Sequence, residues 1–233
     1  MIKNIVLLTL VALLCSIIVA QGNVVEIQPG PDIGQDTFVD VDSPSYNFSD
    51  WAIMETLSIK YRSFLQFPQL NQYLGYQITS ATLKLYLDMT DWGTKCFFRV
   101  IEPWEEDTVT WNNQPEYSDT DYLEFIEEQE SKGRHDFDVT SMVRKWLSGE
   151  WENYGWAIIS GDDEMIIYTS NFDYYYNRPM LVLEGPDLPP VSVQPTSLGK
   201  IKSLYSPQQV SSITDGRGQF AKHSKREAWA RVE

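Results

Sequence analysis

The chain has 233 residues with 12 prolines, 13 glycines and 13% aromatic residues, which suits one domain with appendages, built from many strands and not from long helices. Its net charge of −15 is unevenly spread: residues 1–20 carry only Lys3, residues 21–190 carry 10 basic and 30 acidic side chains, and residues 191–233 carry 7 basic and 3 acidic ones. A domain at net −20 repels phosphate backbones, which excludes nucleic acid as a partner and favours cations and neutral sugars; an anionic glycan would need a bridging cation.

Residues 1–20 run apolar from Ile5 to Ala20 behind the single charge of Lys3, and Ile18-Val19-Ala20 offers a small residue at a cleavage point. This reads as a secretory signal peptide, and the expected location is extracellular or at the cell surface. An uncleaved anchor is the alternative, since the run is about the lower limit for a bilayer span. If the signal is cleaved, no stable membrane insertion is expected. Cys15 lies in this leader and follows Leu14, which does not fit a lipoprotein site. Cys96 is then the one cysteine of the mature chain, so no intrachain disulfide can form and a half-buried structural thiol is expected.

Residues 21–34 read as a linker-like lead with Pro29, Gly30, Pro31 and Gly34. Asp36 to Asp42 then alternates, with Asp36, Phe38, Asp40 and Asp42 on one side and Thr37, Val39 and Val41 on the other. Asn47-Phe48-Ser49 has the form of a glycosylation sequon, a pattern that often arises by chance. Leu57–Phe67 reads as two short strands around Lys60 to Arg62, Ile78–Leu87 as the clearest strand of all, Asp91-Trp92-Gly93 as a turn, and Cys96–Ile101 as the returning strand.

Trp104 to Pro115 places two tryptophans seven residues apart, with Glu105, Glu106 and Asp107 between them and turn chemistry at Asn112-Asn113-Gln114-Pro115. Both rings are expected to be largely buried, with Thr108–Thr110 running beside the sheet. The acidic connection from Glu116 to Gly133 reads as a solvated loop or short helix. Asp136–Gly149 reads as the one helix: Asp138 or Thr140 can cap it, Val139, Met142, Val143, Trp146 and Leu147 form its apolar stripe, and Gly149 ends it. Trp156–Ile159, Met165–Thr169 and Pro179–Leu183 are three further strands. Residues 186–233 are expected to be a proline-containing linker followed by a basic, disordered tail.

These segments, taken in order, resemble the DNRLRE family of secreted β-sandwich modules, which are classed with carbohydrate-binding modules. The resemblance rests on Asp36-Thr-Phe-Val-Asp40, Ser43-Pro44 with Asn47, Ile78 to Tyr86, Trp104 to Pro115, Phe137-Asp-Val-Thr140 with Trp146 and Gly149, Asn153-Tyr-Gly155, and Arg178-Pro179. Gln66 and Pro68 depart from the family's arginine and aspartate. It covers roughly residues 36–184 and implies a jelly-roll-like antiparallel sandwich with one short amphipathic helix, the fold class that the strand pattern gives independently. Residues 35–185 are accordingly the expected domain.

No nucleophile motif accompanies His135 or His223, and carboxylate pairs such as Glu105 and Asp107 are frequent by chance in so acidic a chain, so an enzyme is not expected. The resemblance suggests a structural calcium ion, for which acidic loops can supply the oxygens. Asp36, Asp40 and Asp42 on the first strand, and Asp162 and Asp163 in the Ser160–Glu164 turn, are the candidate ligands; solvated surface or turn capping is the alternative for each. Polysaccharide would be held by aromatic faces stacked on sugar rings. Trp51, Trp92, Trp151, Tyr174, Tyr175 and Tyr176 are the candidates, with partial core burial the competing explanation, whereas Trp104, Trp111 and Trp146 read as structural. The expected function is a secreted, non-catalytic module binding a polysaccharide or cell-surface glycan. The alternative is a structural or adhesive surface protein without a sugar ligand.

Overall fold

The computed structural model describes residues 22–90, 93–127, 132–161 and 164–189. The leader, Trp92, Asp162, Asp163 and the tail beyond residue 189 lie outside the described residues. The architecture is an antiparallel β-sandwich, as expected. One sheet contains β1 (Asn23–Ile27), β3 (Ile53–Thr56), β5 (Ser80–Thr90), β8 (Gly133–Asp138), β10 (Met165–Tyr168) and β11 (Met180–Gly185). The other runs in the order β2 (Gln35–Asp40), β4 (Tyr61–Gln66), β9 (Trp156–Ser160), β6 (Gly93–Val100) and β7 (Tyr117–Glu127).

β5 organises the first sheet. Ala81, Leu83, Leu85 and Leu87 alternate inward and are fully buried, while residues between them are half-exposed. β8 lies along one side of β5, pairing Thr82 with Asp138 and Leu87 with Gly133. The other side is shared by two strands laid end to end: β11 pairs with residues 80–84 and β10 with residues 87–90. Outside them, β1 pairs with β11 and β3 with β10. The sheet therefore has a seam. Residues 169–179 leave the end of β10 and return at the start of β11, and the chain crosses to and from β2 beside the same gap.

The main core lies between the sheets, with Leu83, Leu85 and Leu87 facing Leu65, Phe97, Trp156 and Ile158. The single α-helix among the described residues, α1 (Thr140–Leu147), adds Met142, Val143, Trp146 and Leu147. Its start is fixed by Asp138, whose Oδ1 accepts the Thr140 amide at 3.0 Å and hydroxyl at 2.6 Å; these bonds hold the Asp138 carboxyl below its usual range. Gly149 follows at φ 74°.

A second, smaller core covers the outer face of the five-stranded sheet, where Val39, Phe64, Val100 and Ala157 pack under Trp104 and Val109. The Trp104 indole N–H donates to the Tyr154 carbonyl at 2.9 Å, with its ring 5.7 Å from that of Phe64. Burial on both faces explains why residues 36–40 are buried without alternation. At Gly155, φ is 78° and an added Cβ would lie 2.1 Å from the Leu65 carbonyl oxygen, so the strand entry into β9 admits glycine alone.

Several local expectations are corrected. The lead contributes an edge strand, Asn23–Ile27. The acidic connection is not a loop or helix: Tyr117–Glu127 is an eleven-residue strand pairing with β6, and Leu123 and Phe125 are partly buried against the core while Tyr122 and Ile126 are exposed. The first strand expected at Leu57 lies at Ile53–Thr56, and residues 133–138 form a strand ahead of the helix. Trp104 is buried as expected, but Trp111 is only half-buried, at the start of a 3₁₀ turn, with the Arg62 guanidinium 4.6 Å from its ring centre. Leu188, beyond the last strand, is still 1% exposed and belongs to the main core. Trp104→Ala should destabilise the domain by about 3–5 kcal/mol in chemical denaturation, and Trp111→Ala by clearly less.

Candidate functional site

The seam concentrates loops from both sheets. The Thr169 hydroxyl donates to the Trp51 carbonyl at 2.7 Å, Asn171 Nδ2 to the Ser49 carbonyl at 2.6 Å, and Gln28 Nε2 to the carbonyls of Tyr175 and Arg178 at 3.0 and 3.1 Å. The excursion 169–179 is thereby held between residues 28–34 and 48–52. The loop 43–51 is tied in turn to the Trp104 segment. Asn47 Nδ2 donates to the carbonyls of Glu106 and Val109, both at 2.7 Å, and Asn112 Nδ2 donates to Ser45 Oγ at 3.0 Å. The sequon asparagine is thus committed to holding two loops together.

Aromatic side chains project from this region. Tyr86, on β5, stacks on Tyr168 with centroids 5.0 Å apart, and Tyr168 stacks on Phe172 at 3.6 Å. Phe172 lies 5.9 Å from Tyr174, and Tyr175 and Tyr176 meet edge to face. Tyr174, Tyr175 and Tyr176 are 71%, 51% and 80% exposed. The Tyr168 hydroxyl and the Lys132 ammonium both bond Asp88 Oδ1, whose carboxyl is held below its usual range by those bonds. Across the excursion, Trp51 is 42% exposed and packs edge-on against Phe38 and Phe48.

Four of the candidate aromatic residues singled out in the sequence, Trp51 and Tyr174 to Tyr176, therefore share the seam. Trp151 does not join them: it sits beside α1, partly buried on the core, with Arg99 and Lys145 at 4.3 and 4.0 Å from its ring centre. Trp92 lies outside the described residues. Sequence reasoning missed Tyr46, 55% exposed and edge-on to Phe48, which stands in the loop of the Ser43-Pro44 motif without any spacing that marks it.

The acidic candidates do not form one cluster. Asp36 is 1% exposed and accepts the Ser170 amide at 2.8 Å and hydroxyl at 2.9 Å. Asp40, four residues along the same strand and so roughly 13 Å away, accepts the Asp42 amide at 2.9 Å. Asp42 faces Lys60 at 3.7 Å. Asp162 and Asp163 lie outside the described residues. Among the described residues no three His, Cys, Asp or Glu side chains converge as a metal site.

Glu106 is the acid that the sequence reading did not separate from its neighbours. Glu105 and Asp107 are exposed, whereas Glu106 is half-buried beside Asp36, whose backbone N–H it accepts. Burial pushes its carboxyl up to about 8, and the charge of Asp36, followed by those of Asp107 and Asp50, adds to the rise. Burial likewise pushes Asp36 up to about 6, against the Ser170 hydrogen bonds and the Arg178 charge. Both acids therefore keep protons in the folded state at pH values where the unfolded chain, with carboxyls near 3.8 and 4.5, has lost them. The folded state binds more protons across that window, so its stability falls as pH rises through 6 and 8. The melting temperature in metal-free buffer should decline between about pH 5 and pH 8.5. Glu106→Gln should flatten the upper part of that decline.

The domain is thus a sandwich that displays aromatic rings on loops at one edge. Residues 32–185 match carbohydrate-binding module family 96, and the chain belongs to that family. No curated protein matches the chain. The carbohydrate-binding-module class expected from the motifs therefore stands. Among the described residues no helix is long and apolar enough to cross a membrane.

Proposed function

We propose that this protein is a secreted, non-catalytic module that binds a polysaccharide along the seam, using Tyr174, Tyr175 and Tyr176 with Trp51 and Tyr46 beside them. The observation that carries the reading is the exposure of three consecutive tyrosines on an excursion braced from both sides. Exposed rings of this size cost solubility unless a ligand covers them, and their apolar faces complement the C–H face of a pyranose. Family membership supports a carbohydrate as that ligand. The neighbouring acids Asp32, Asp50, Glu105, Asp107 and Asp173 favour neutral chains over anionic ones.

Affinity electrophoresis against neutral and acidic polysaccharides tests the reading. Retardation by at least one neutral glycan is expected, reduced roughly tenfold or more by Tyr175→Ala or Tyr176→Ala, as the loss of about 1.4 kcal/mol of stacking would give. Trp151→Ala should leave retardation unchanged. No retardation by any polysaccharide would move the chain to a structural or adhesive role at the cell surface.

A further inference from the structure

Four buried side-chain oxygens near the seam lack any hydrogen-bond donor: Oε1 of Gln28, Gln35, Gln69 and Glu106, each shielded from solvent. Three of these residues, Gln35, Gln69 and Glu106, line one cleft of about 600 Å³. The cleft's charged residues are Asp32, Glu105, Glu106 and Asp107, and it contains no Lys, Arg or His. Gln69 cannot simply be turned over, because its Nε2 already donates to the Ile33 carbonyl at 2.9 Å. The backbone cannot easily withdraw either. At Gly34, next to Gln35, an added Cβ would lie 2.5 Å from Ser170 Oγ, so the loop is pressed against the Asp36–Ser170 pair.

Native proteins rarely leave buried acceptors without a partner, and where several gather, an ion or ordered water supplies what is missing. Here every orphaned atom is an acceptor oxygen, which a cation can serve. The donor set is amide and carboxylate oxygen, without thiolate or imidazole, which disfavours zinc and suits a hard cation. Amide oxygens on irregular loops fit the large, flexible coordination shell of calcium and not the regular, hydrated octahedron of magnesium. Glu106 and the adjacent Asp36 together carry the two negative charges that a divalent ion balances.

We propose that Gln35, Gln69 and Glu106 form a calcium site that ties the loop before β2 to the Trp104 segment. Asp36 adjoins the site and supplies charge, while both its oxygens remain bonded to Ser170. The site differs from the positions of Asp40 and Asp42 and does not depend on whether the tyrosines hold a sugar.

Calcium titration of the full mature chain after EDTA treatment, at about pH 8 by calorimetry, tests the assignment. One saturable site is expected, with a dissociation constant on the order of 10⁻⁶–10⁻⁴ M, a higher melting temperature in calcium, and weaker binding of magnesium. Glu106→Gln should weaken calcium at least tenfold, and Gln35→Leu should weaken it independently. Asp42→Asn should leave it unchanged. No binding at millimolar calcium, equal affinity for magnesium, or undiminished binding by both site variants would overturn the proposal. Glycan retardation measured in parallel, with and without EDTA, keeps this outcome separate from that of the sugar site.

Discussion

The hydrogen bonds from Ser170 to the Asp36 carboxylate join the two sheets where the sandwich would otherwise be open. β2 is an edge strand of one sheet, and Ser170 begins the excursion that interrupts the other. A carboxyl buried to 1% exposure is tolerated there because a main-chain N–H and a hydroxyl both serve it. Gly34 and the Trp51 loop pack around this junction, so the display of aromatic side chains rests on a polar contact inside an apolar core. Electrostatics set its limits: burial raises the Asp36 and Glu106 carboxyls, and the charge of Asp36 adds to the rise at Glu106.

A second constraint comes from outside the five-stranded sheet. Trp104 and Val109 cover Val39, Phe64 and Ala157, and Asn47 fastens the same segment to the loop ahead of β3. This outer layer turns a long connection into part of the core. The loops near the seam are held at both ends by side-chain amides bonding main-chain carbonyls, a rigid mounting for flat rings.

Much of this was legible in the sequence. The alternation of Leu83, Leu85 and Leu87 marked β5, the Val139 to Leu147 stripe marked the helix, and Trp104 announced its own burial. β7 was not legible, because its acidic side chains suggested solvent and its inward residues, Leu123 and Phe125, are only partly buried. β1 was hidden by the prolines and glycines that follow it. Aromatic content alone could not separate Trp151 from the tyrosines, since the difference lies in its packing on Lys145 of the preceding helix and on Arg99, some fifty residues earlier. Nor could spacing single out Glu106 among three consecutive acids, because its burial depends on Asp36, seventy residues earlier in the chain.

The end-to-end placement of β10 and β11 along β5 has a consequence for how such a module can change. Each of the two strands is clamped by a neighbour on both sides, β10 between β5 and β3 and β11 between β5 and β1. The register of the sheet is thus set twice, independently of the eleven residues that run between them. Beyond the anchoring contacts of Thr169, Ser170 and Asn171, insertions, deletions or exchanged rings at residues 173–177 need not shift any strand. The segment is a cassette: evolution can retune it, and a designer can graft a foreign binding loop into it, while the fold on either side is left alone.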